Sequence, residues 1–324
     1  MKTISKFRTI LLLAVIALVS ISCDNSDDVM TPEPTDATIT GIAVATPDLS
    51  ILVQALTKAN LAKTLQGDGP FTVFAPTNDA FAEFLMVNGF KSLDEVPTDV
   101  LTQILLNHVV SGKVMSTDLK TGYVKTLATS SASGKNTMSM YVDLTSGVKL
   151  NGVSSVTKAD VVASNGVIHI VNSVIGLPTI VTHAVANPNF STLVSVVTNP
   201  AQASILTALS GTGPLTVFAP TNAGFAKLNS DLIDLGIAGG ISGVDQATIT
   251  NVLLYHVVGG NVLASGLAAG NVTTLLKQTF EVQLTGGAKI IDKNNRTSNI
   301  IITDVQASNG VIHAIDNALL PSLK

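Results

Sequence analysis

The sequence contains no tryptophan, and aromatic residues make up only 4% of its 324 positions. An aromatic platform on which a sugar ring could stack is therefore poorly supplied. Charged residues are also scarce, at 12%, about half of the roughly 25% found in an average protein. Ser, Thr, Asn and Gly carry the polar surface instead, a composition that suits an exported protein.

Positive charge is in short supply as well. The net charge is −4, and loss of residues 1–22, which carry Lys2, Lys6 and Arg8 but no acidic residue, would bring it to about −7. A negative chain without a basic run is a poor partner for nucleic acid or anionic lipid heads. We therefore expect no nucleic-acid partner.

The only cysteine is Cys23, so an intramolecular disulfide is excluded. The positive end and the short apolar run from Ile10 to Val19 predict a signal peptide over residues 1–22. A cysteine directly after a signal peptide resembles the lipid-attachment cysteine of bacterial lipoproteins, although Ser20 stands where Leu is usual. The resemblance implies an exported protein with a lipid anchor on Cys23; the alternative is an ordinary signal peptide that ends near a cysteine.

Residues 23–37 are polar, acidic and rich in Pro and Thr. Such a segment has nothing to bury, so we predict a disordered tether. The acidic cluster Asp24, Asp27 and Asp28 resembles a signal that sends some Gram-negative lipoproteins to the outside of the outer membrane. We expect an outer-membrane lipoprotein that faces the cell surface, with a plain solvated linker as the alternative.

Motifs for catalysis, cofactors and metals are missing. The sequence has no G-x-S-x-G, H-x-x-x-H or C-x-x-C pattern, and a catalytic histidine needs a nucleophile or an orienting carboxylate. GDGP and GTGP lack the third glycine of a dinucleotide loop and the lysine of a phosphate loop. We therefore expect no enzyme activity, no cofactor and no metal.

The chain repeats itself. Four segments recur in the same order: TITGIAVATP as TIVTHAVANP, TVFAPTN unchanged, LLNHVV as LLYHVV, and ASNGVIH unchanged at 163–169 and 307–313. The insertions between them fall in Gly- and Pro-rich places that are typical of loops. The pattern predicts two domains of one fold, residues 38–177 and 178–324.

The order of the patterns predicts an α+β fold in each copy. Leu49 to Leu65 have helical spacing, Phe71 to Pro76 alternate as a strand, and Val100 to Val110 indicate another helix that ends near Gly112. Thr77 is placed to cap a helix. Short strands follow, and the last two form a hairpin, in which we expect Asn165-Gly166 and Asn309-Gly310 to supply the positive φ angles of a two-residue turn.

Four histidines belong to the repeated segments. His108 and His256 continue the apolar stripe of a predicted helix, and His169 and His313 share a strand face with Val and Ile. We predict buried rings that bond to backbone groups, with surface ligand binding or catalysis as the alternatives. His183 replaces Ile42 of the first copy and is not part of the shared framework.

The ordered set TVFAPTN, L-L-x-H-V-V and ASNGVIH resembles the fasciclin domain family, over about residues 38–323. Tyr255-His256 matches the family's Tyr-His pair, and Asn107 stands where the first copy would have the tyrosine. The resemblance implies a wedge of strands with helices packed alongside. It also implies a role in adhesion or matrix contact, to which the Tyr-His region has been linked.

These observations predict a non-catalytic protein for adhesion or surface interaction. Its partners would be cell-surface or matrix proteins or glycans, and a membrane reached through Cys23. The alternative function is a glycan-binding surface lipoprotein for polysaccharide capture.

Overall fold

The computed structural model describes residues 38–322, so Cys23, the predicted signal peptide and the predicted tether lie outside the described residues. The helices of the first repeat are α1 (Ile39–Ala45), α2 (Ser50–Lys58), α3 (Ala62–Gln66), α4 (Asn78–Val87) and α5 (Thr98–Asn107). Its strands are β1 (Phe71–Pro76), β2 (Val109–Ser111), β3 (Gly122–Lys125), β4 (Ser139–Asp143), β5 (Lys149–Leu150), β6 (Ser154–Ala163) and β7 (Gly166–Val171).

The second repeat has the same order of elements. Its helices are α6 (Ile180–Ala186), α7 (Ser191–Val197), α8 (Ala203–Ser210), α9 (Asn222–Asp234) and α10 (Gln246–Tyr255). Its strands are β8 (Leu215–Pro220), β9 (Val257–Gly259), β10 (Gly270–Thr273), β11 (Thr279–Gln283), β12 (Lys289–Ile291), β13 (Thr297–Ala307) and β14 (Gly310–Ile315).

Each repeat forms one seven-stranded sheet. The strand order is β2-β1-β7-β6-β5-β4-β3 in the first and β10-β11-β12-β13-β14-β8-β9 in the second. The central pairs β1–β7 and β8–β14 are parallel, while the flanking pairs are antiparallel. The predicted α+β class, with helices early and mostly antiparallel strands later, is confirmed.

Alternation along the central strands divides the core of the first domain into two clusters. Val73 and Ile168 pack with the helices, whereas Phe74 and Val171 pack with Met140 and its neighbours from the far half of the sheet. This follows from the strand period of two, which sends successive side chains to opposite faces. Thr77 caps α4 as predicted, since its hydroxyl accepts from the amide of Ala80 at 3.3 Å.

The helix predicted over Val100–Val110 is shorter than expected. It ends at Asn107, His108 is its C-cap, and Val109 begins β2, which pairs antiparallel with β1. The amide of Phe74 donates to the carbonyl of His108 at 2.9 Å. Pairing with β1 therefore overrides the helical pattern of the last residues.

The predicted Asn-Gly turn is wrong in its two turn residues, although Gly166 has the expected positive φ angle, at 158°. Ala163 pairs with Gly166, so the two turn residues are Ser164 and Asn165, and Asn165 does not have a positive φ angle. A Cβ atom on Gly166 would overlap the carbonyl oxygen of Phe71 on the parallel strand. The glycine is thus required by the close approach of β1 rather than by the turn, and Gly310 stands in the same relation to Leu215.

The two repeats lie in one compact unit. The ammonium group of Lys125 donates to the carbonyl of Asp304 at 2.7 Å, and the amide of Gln306 donates to the hydroxyl of Ser139 at 3.0 Å. The ring of Tyr123 lies edge-on to that of His183, with centroids 5.5 Å apart. Side-chain contacts as well as the connecting chain therefore join the domains.

Among the described residues, no single helix is both long and apolar enough to cross a membrane. Two bent pairs of short helices reach that length and composition only when each pair is joined, Ile39–Ala45 with Pro47–Lys58 and Pro188–Val197 with Pro200–Ser210.

Candidate functional site

His108 lies at the end of α5 and is 1% exposed. Its Nε2 accepts from the amide of Ile175 at 2.8 Å, so the ring proton must be on Nδ1, which donates to the carbonyl of Ile104 at 2.8 Å. Burial lowers the pKa of His108 to about 4. A neutral imidazole therefore ties the end of α5 to the last segment of the first domain.

His256 repeats this arrangement in the second domain. Its Nδ1 donates to the carbonyl of Val252 at 2.7 Å, and its Nε2 accepts from the amide of Leu319 at 2.8 Å. Burial again lowers the pKa to about 4. Since both ring nitrogens are bonded to the backbone, neither His108 nor His256 has a nitrogen left for a substrate or a metal.

His169 has the opposite tautomer. Its Nδ1 accepts from the amide of Asp160 at 3.2 Å, so Nε2 carries the proton and donates to the carbonyl of Val114 at 3.0 Å. The ring is fully buried and stacks on Phe74 at 5.4 Å. His169 therefore connects β7 to β6 and to the segment after β2.

His313 repeats these contacts in the second domain. The amide of Asp304 lies 3.4 Å from Nδ1, Nε2 donates to the carbonyl of Val262 at 2.9 Å, and the ring stacks on Phe218 at 5.5 Å. Burial lowers the pKa of His313 as well. The ring is fully buried.

Sequence reasoning missed the two aspartates that complete these sites. Asp160 and Asp304 occupy bulges in β6 and β13 with φ angles of 61° and 60°. The carboxylate of Asp160 accepts from the amide of Ser116 at 2.8 Å, and that of Asp304 from the amide of Ala264 at 2.7 Å. The signal was present, because an Asp-Val pair precedes ASNGVIH at the same distance in both copies.

The hydrogen bonds of Asn165 explain why the repeated hairpin contains an asparagine. Its Oδ1 accepts from the amide of Ile39 at 2.9 Å, while its Nδ2 donates to the carbonyls of Leu65 and Gly67, both at 2.8 Å. Asn309 makes the matching bonds to Ile180, Leu209 and Gly211. The side chain thus joins the hairpin to the first and third helices of its domain.

The Tyr-His pair is not on the surface. Tyr255 is fully buried, and its hydroxyl donates to the carbonyl of Thr279 at 2.9 Å. Burial raises its pKa to about 12. In the first domain the buried Asn107 takes this place and donates to the carbonyl of Gly176 at 2.9 Å.

The repeated residues therefore assemble a framework, and the described part of the chain contains no group of three or more His, Cys, Asp or Glu side chains placed to hold a metal ion. A different feature lies on the surface, which we call the junction groove. It has a volume of about 450 Å³ and is lined by Ala80, Glu83, Phe84, Val87, Asn88, Asn151, Val153, Ser173, Val174, Gly176, Leu177 and Thr182.

The junction groove has aliphatic and polar elements. Val87 and Val153 are 73% and 56% exposed. Asn151 is buried in the wall; its Oδ1 accepts from the amide of Tyr141 at 2.7 Å, and its Nδ2 has no partner among the described residues. Thr182 comes from α6, so both domains line the groove.

The fold and the repeated sites define a tandem α+β protein with two buried histidines in each domain. One joins a helix end to the last segment of the domain, and the other joins the hairpin to the segment after the second strand. The fasciclin domain model matches residues 47–178 and 188–321, and the chain belongs to that family.

Several relatives are similar over much of the chain. Transforming growth factor-beta-induced protein ig-h3 of Sus scrofa is 30% identical over 81% of this chain and 36% of its own length. Human periostin is 27% identical over 87% of this chain and 31% of its own length, so the chain spans about a third of these two relatives. Protein sll1483 of Synechocystis is 36% identical over 49% of this chain and 86% of its own length.

A solved structure has the same fold. It is a FAS1 domain pair from the insect cell adhesion molecule fasciclin I, with a TM-score of 0.50 and 20% identity. The likeness covers 84% of this chain and 97% of the solved chain.

Proposed function

We propose that this protein is an exported, non-catalytic adhesion or surface-interaction protein. The observation that carries the proposal is the match of both repeats, as a pair, to the domain pair of an insect cell adhesion molecule. The partners would be cell-surface or matrix proteins or glycans. The lipid anchor on Cys23 and a location at the outer membrane are part of the same proposal and rest on the sequence.

The histidine geometry supports a non-catalytic role. A general base must have a ring nitrogen within reach of the substrate proton. In His108, His169, His256 and His313 both nitrogens face backbone groups, at 2.7–3.4 Å. These side chains hold the fold together and leave contact with a partner to the surface.

The junction groove is the contact surface that we propose. Exposed aliphatic side chains that gather at one place are typical of protein interaction sites, and Val87 and Val153 supply them here. The aliphatic walls favour a protein partner over a glycan.

The test uses beads coated with the full chain carrying Cys23→Ala. They are tested against a panel of matrix and cell-surface proteins and on a glycan array. We expect binding to proteins or cells without a sugar-specific signal. Sugar-specific binding alone would replace adhesion by the glycan-capture alternative, and binding to neither class would overturn the proposal.

Two variants test the surface separately. Val87→Lys places a charge in the junction groove and should abolish protein binding. Val44→Lys is the matched control, because Val44 is also exposed, at 65%, but does not line the groove. If Val87→Lys binds as well as the wild type, the contact surface lies elsewhere while adhesion itself stands.

A further inference from the structure

The second domain contains an apolar cavity of about 230 Å³. We call it the helix cavity. It lies between α7, α9, α10 and the glycine-rich segment after α9, and it is lined by Leu193, Val196, Pro220, Phe225, Leu228, Leu232, Ile237, Ile241, Gly243, Val244, Asp245, Thr248, Ile249, Val252, Leu253, His256 and Leu320.

Smaller side chains open this space in comparison with the first domain. The repeat register places Leu228 where the first domain has Phe84, and Val252 where it has Ile104. Ile104 is 5% exposed, whereas Val252 is only partly buried. The α9 helix is also longer than α4, 13 residues against 10.

The polar groups at the helix cavity are already used by the protein. The carboxylate of Asp245 accepts from the amide and the hydroxyl of Thr248, at 2.9 and 2.8 Å. Both ring nitrogens of His256 are bonded to the backbone. A ligand would therefore find mainly apolar walls, and the burial of an anionic head group there would be uncompensated.

The size of the helix cavity selects small molecules. An engineered apolar cavity of about 150 Å³ stays dry and binds benzene, and this one is larger. A second cavity of about 50 Å³ adjoins it and shares Leu193, Pro220, Leu253 and His256. The first domain has a cavity at the equivalent position, with a volume of only about 10 Å³. The side chains that line the helix cavity lack van der Waals contacts on one side, and a bound ligand would supply them.

We propose that the helix cavity is a binding site for a small uncharged apolar molecule, in the size range of benzene to a medium-chain alcohol. The site goes beyond adhesion, since it lies within the second domain and away from the junction groove. A molecule that binds only the native state raises the melting temperature.

The experiment uses the full chain, with benzene, 1-octanol and octanoate as probes in thermal melts and titration calorimetry. We expect benzene and 1-octanol to raise the melting temperature, and octanoate to bind at least tenfold more weakly than 1-octanol. No shift and no heat with benzene or 1-octanol would overturn the site. Equal binding of octanoate would overturn the requirement for an uncharged ligand.

The filling variants take their residues from the first domain. Leu228→Phe should lose at least tenfold in benzene affinity, and Val252→Ile is a milder second variant in case the first does not fold. Ile233→Phe is the control, because Ile233 is 52% exposed on α9 and does not line the helix cavity. A folded Leu228→Phe variant that binds benzene like the wild type would show that the ligand sits elsewhere.

Discussion

The backbone amide of Asp160 donates to Nδ1 of His169 at 3.2 Å, across the bulge in β6. That single bond selects the tautomer, because Nδ1 becomes an acceptor and Nε2 must donate to the carbonyl of Val114. Asp304 and His313 stand in the same relation in the second domain. The repeated histidine therefore depends on a bulge with a positive φ angle, which Asp adopts more readily than most residues other than glycine.

His169→Ala and His313→Ala should each destabilise their domain. Truncation leaves a backbone amide and a carbonyl without partners, at roughly 1–3 kcal/mol each, and the lost ring adds a cavity. Because the free energy of unfolding of a whole domain is only about 5–15 kcal/mol, the melting temperature should drop measurably. Thermal melts beside the bead assay check this, and normal melting with abolished binding would show a ligand-binding histidine instead.

Gly166→Ala should disrupt the pairing of β1 with β7. The added Cβ would overlap the carbonyl oxygen of Phe71, which belongs to the central strand and has no room to move. We expect a loss of about 1–3 kcal/mol or more, measured by urea unfolding. Gly176→Ala is the matched control, since a Cβ there meets no atom within 4 Å; equal losses in both variants would contradict the explanation.

The burial of the repeated histidines was predictable from the sequence, whereas their hydrogen-bond partners were not. The apolar neighbours of His108 and His169 predicted burial, and both are buried. The partners of the rings come from positions distant in the chain, such as Ile175 and Val114, so no local pattern indicates them. The helix end at Asn107 was missed for the same reason, because β1 decides it.

The explanation for Asn165-Gly166 was wrong although the residues were well chosen. The Asn-Gly pair is a strong local signal for a two-residue turn, but here each residue is needed for a tertiary contact. The helix cavity and the junction groove could not be predicted at all, since both depend on how separate elements pack.

Stability should fall between about pH 6.5 and pH 4. Burial lowers the pKa of His108, His183 and His256 from 6.5 to about 4. In that window the unfolded chain binds protons that the native protein does not, so the free energy of unfolding decreases as the pH falls. We expect a loss of roughly 1–3 kcal/mol per histidine, with little change above pH 7.

Urea unfolding at pH 7.5 and pH 4.5 measures the effect. His108→Asn should reduce the difference between the two values, since one of the three groups is removed. A free energy of unfolding that is the same at both pH values would contradict burial of these rings in the neutral form.

Cys23→Ala should release the protein from membranes. Cys23 follows the predicted signal peptide and is the only thiol in the chain, and a lipid chain contributes about 0.8 kcal/mol per buried CH₂ group to membrane binding. Fractionation and labelled fatty-acid uptake are the measurements, with Cys23→Ser as a second variant. A wild type that takes up no label, together with a mutant that stays on the membrane, would exclude the anchor.

Residues 36–177 and 178–324, expressed separately, should each unfold in one cooperative transition. Each half has its own seven-stranded sheet and core clusters. Separation breaks the bonds from Lys125 to Asp304 and from Gln306 to Ser139, and it removes Tyr123 from the ring of His183. We therefore expect lower melting temperatures than in the full chain.

His183 should titrate nearer its ordinary pKa in the separate second half, so that half should lose part of its pH dependence. Melts of both halves beside the full chain decide the matter, and two fragments without a transition would mean that the repeats fold only together.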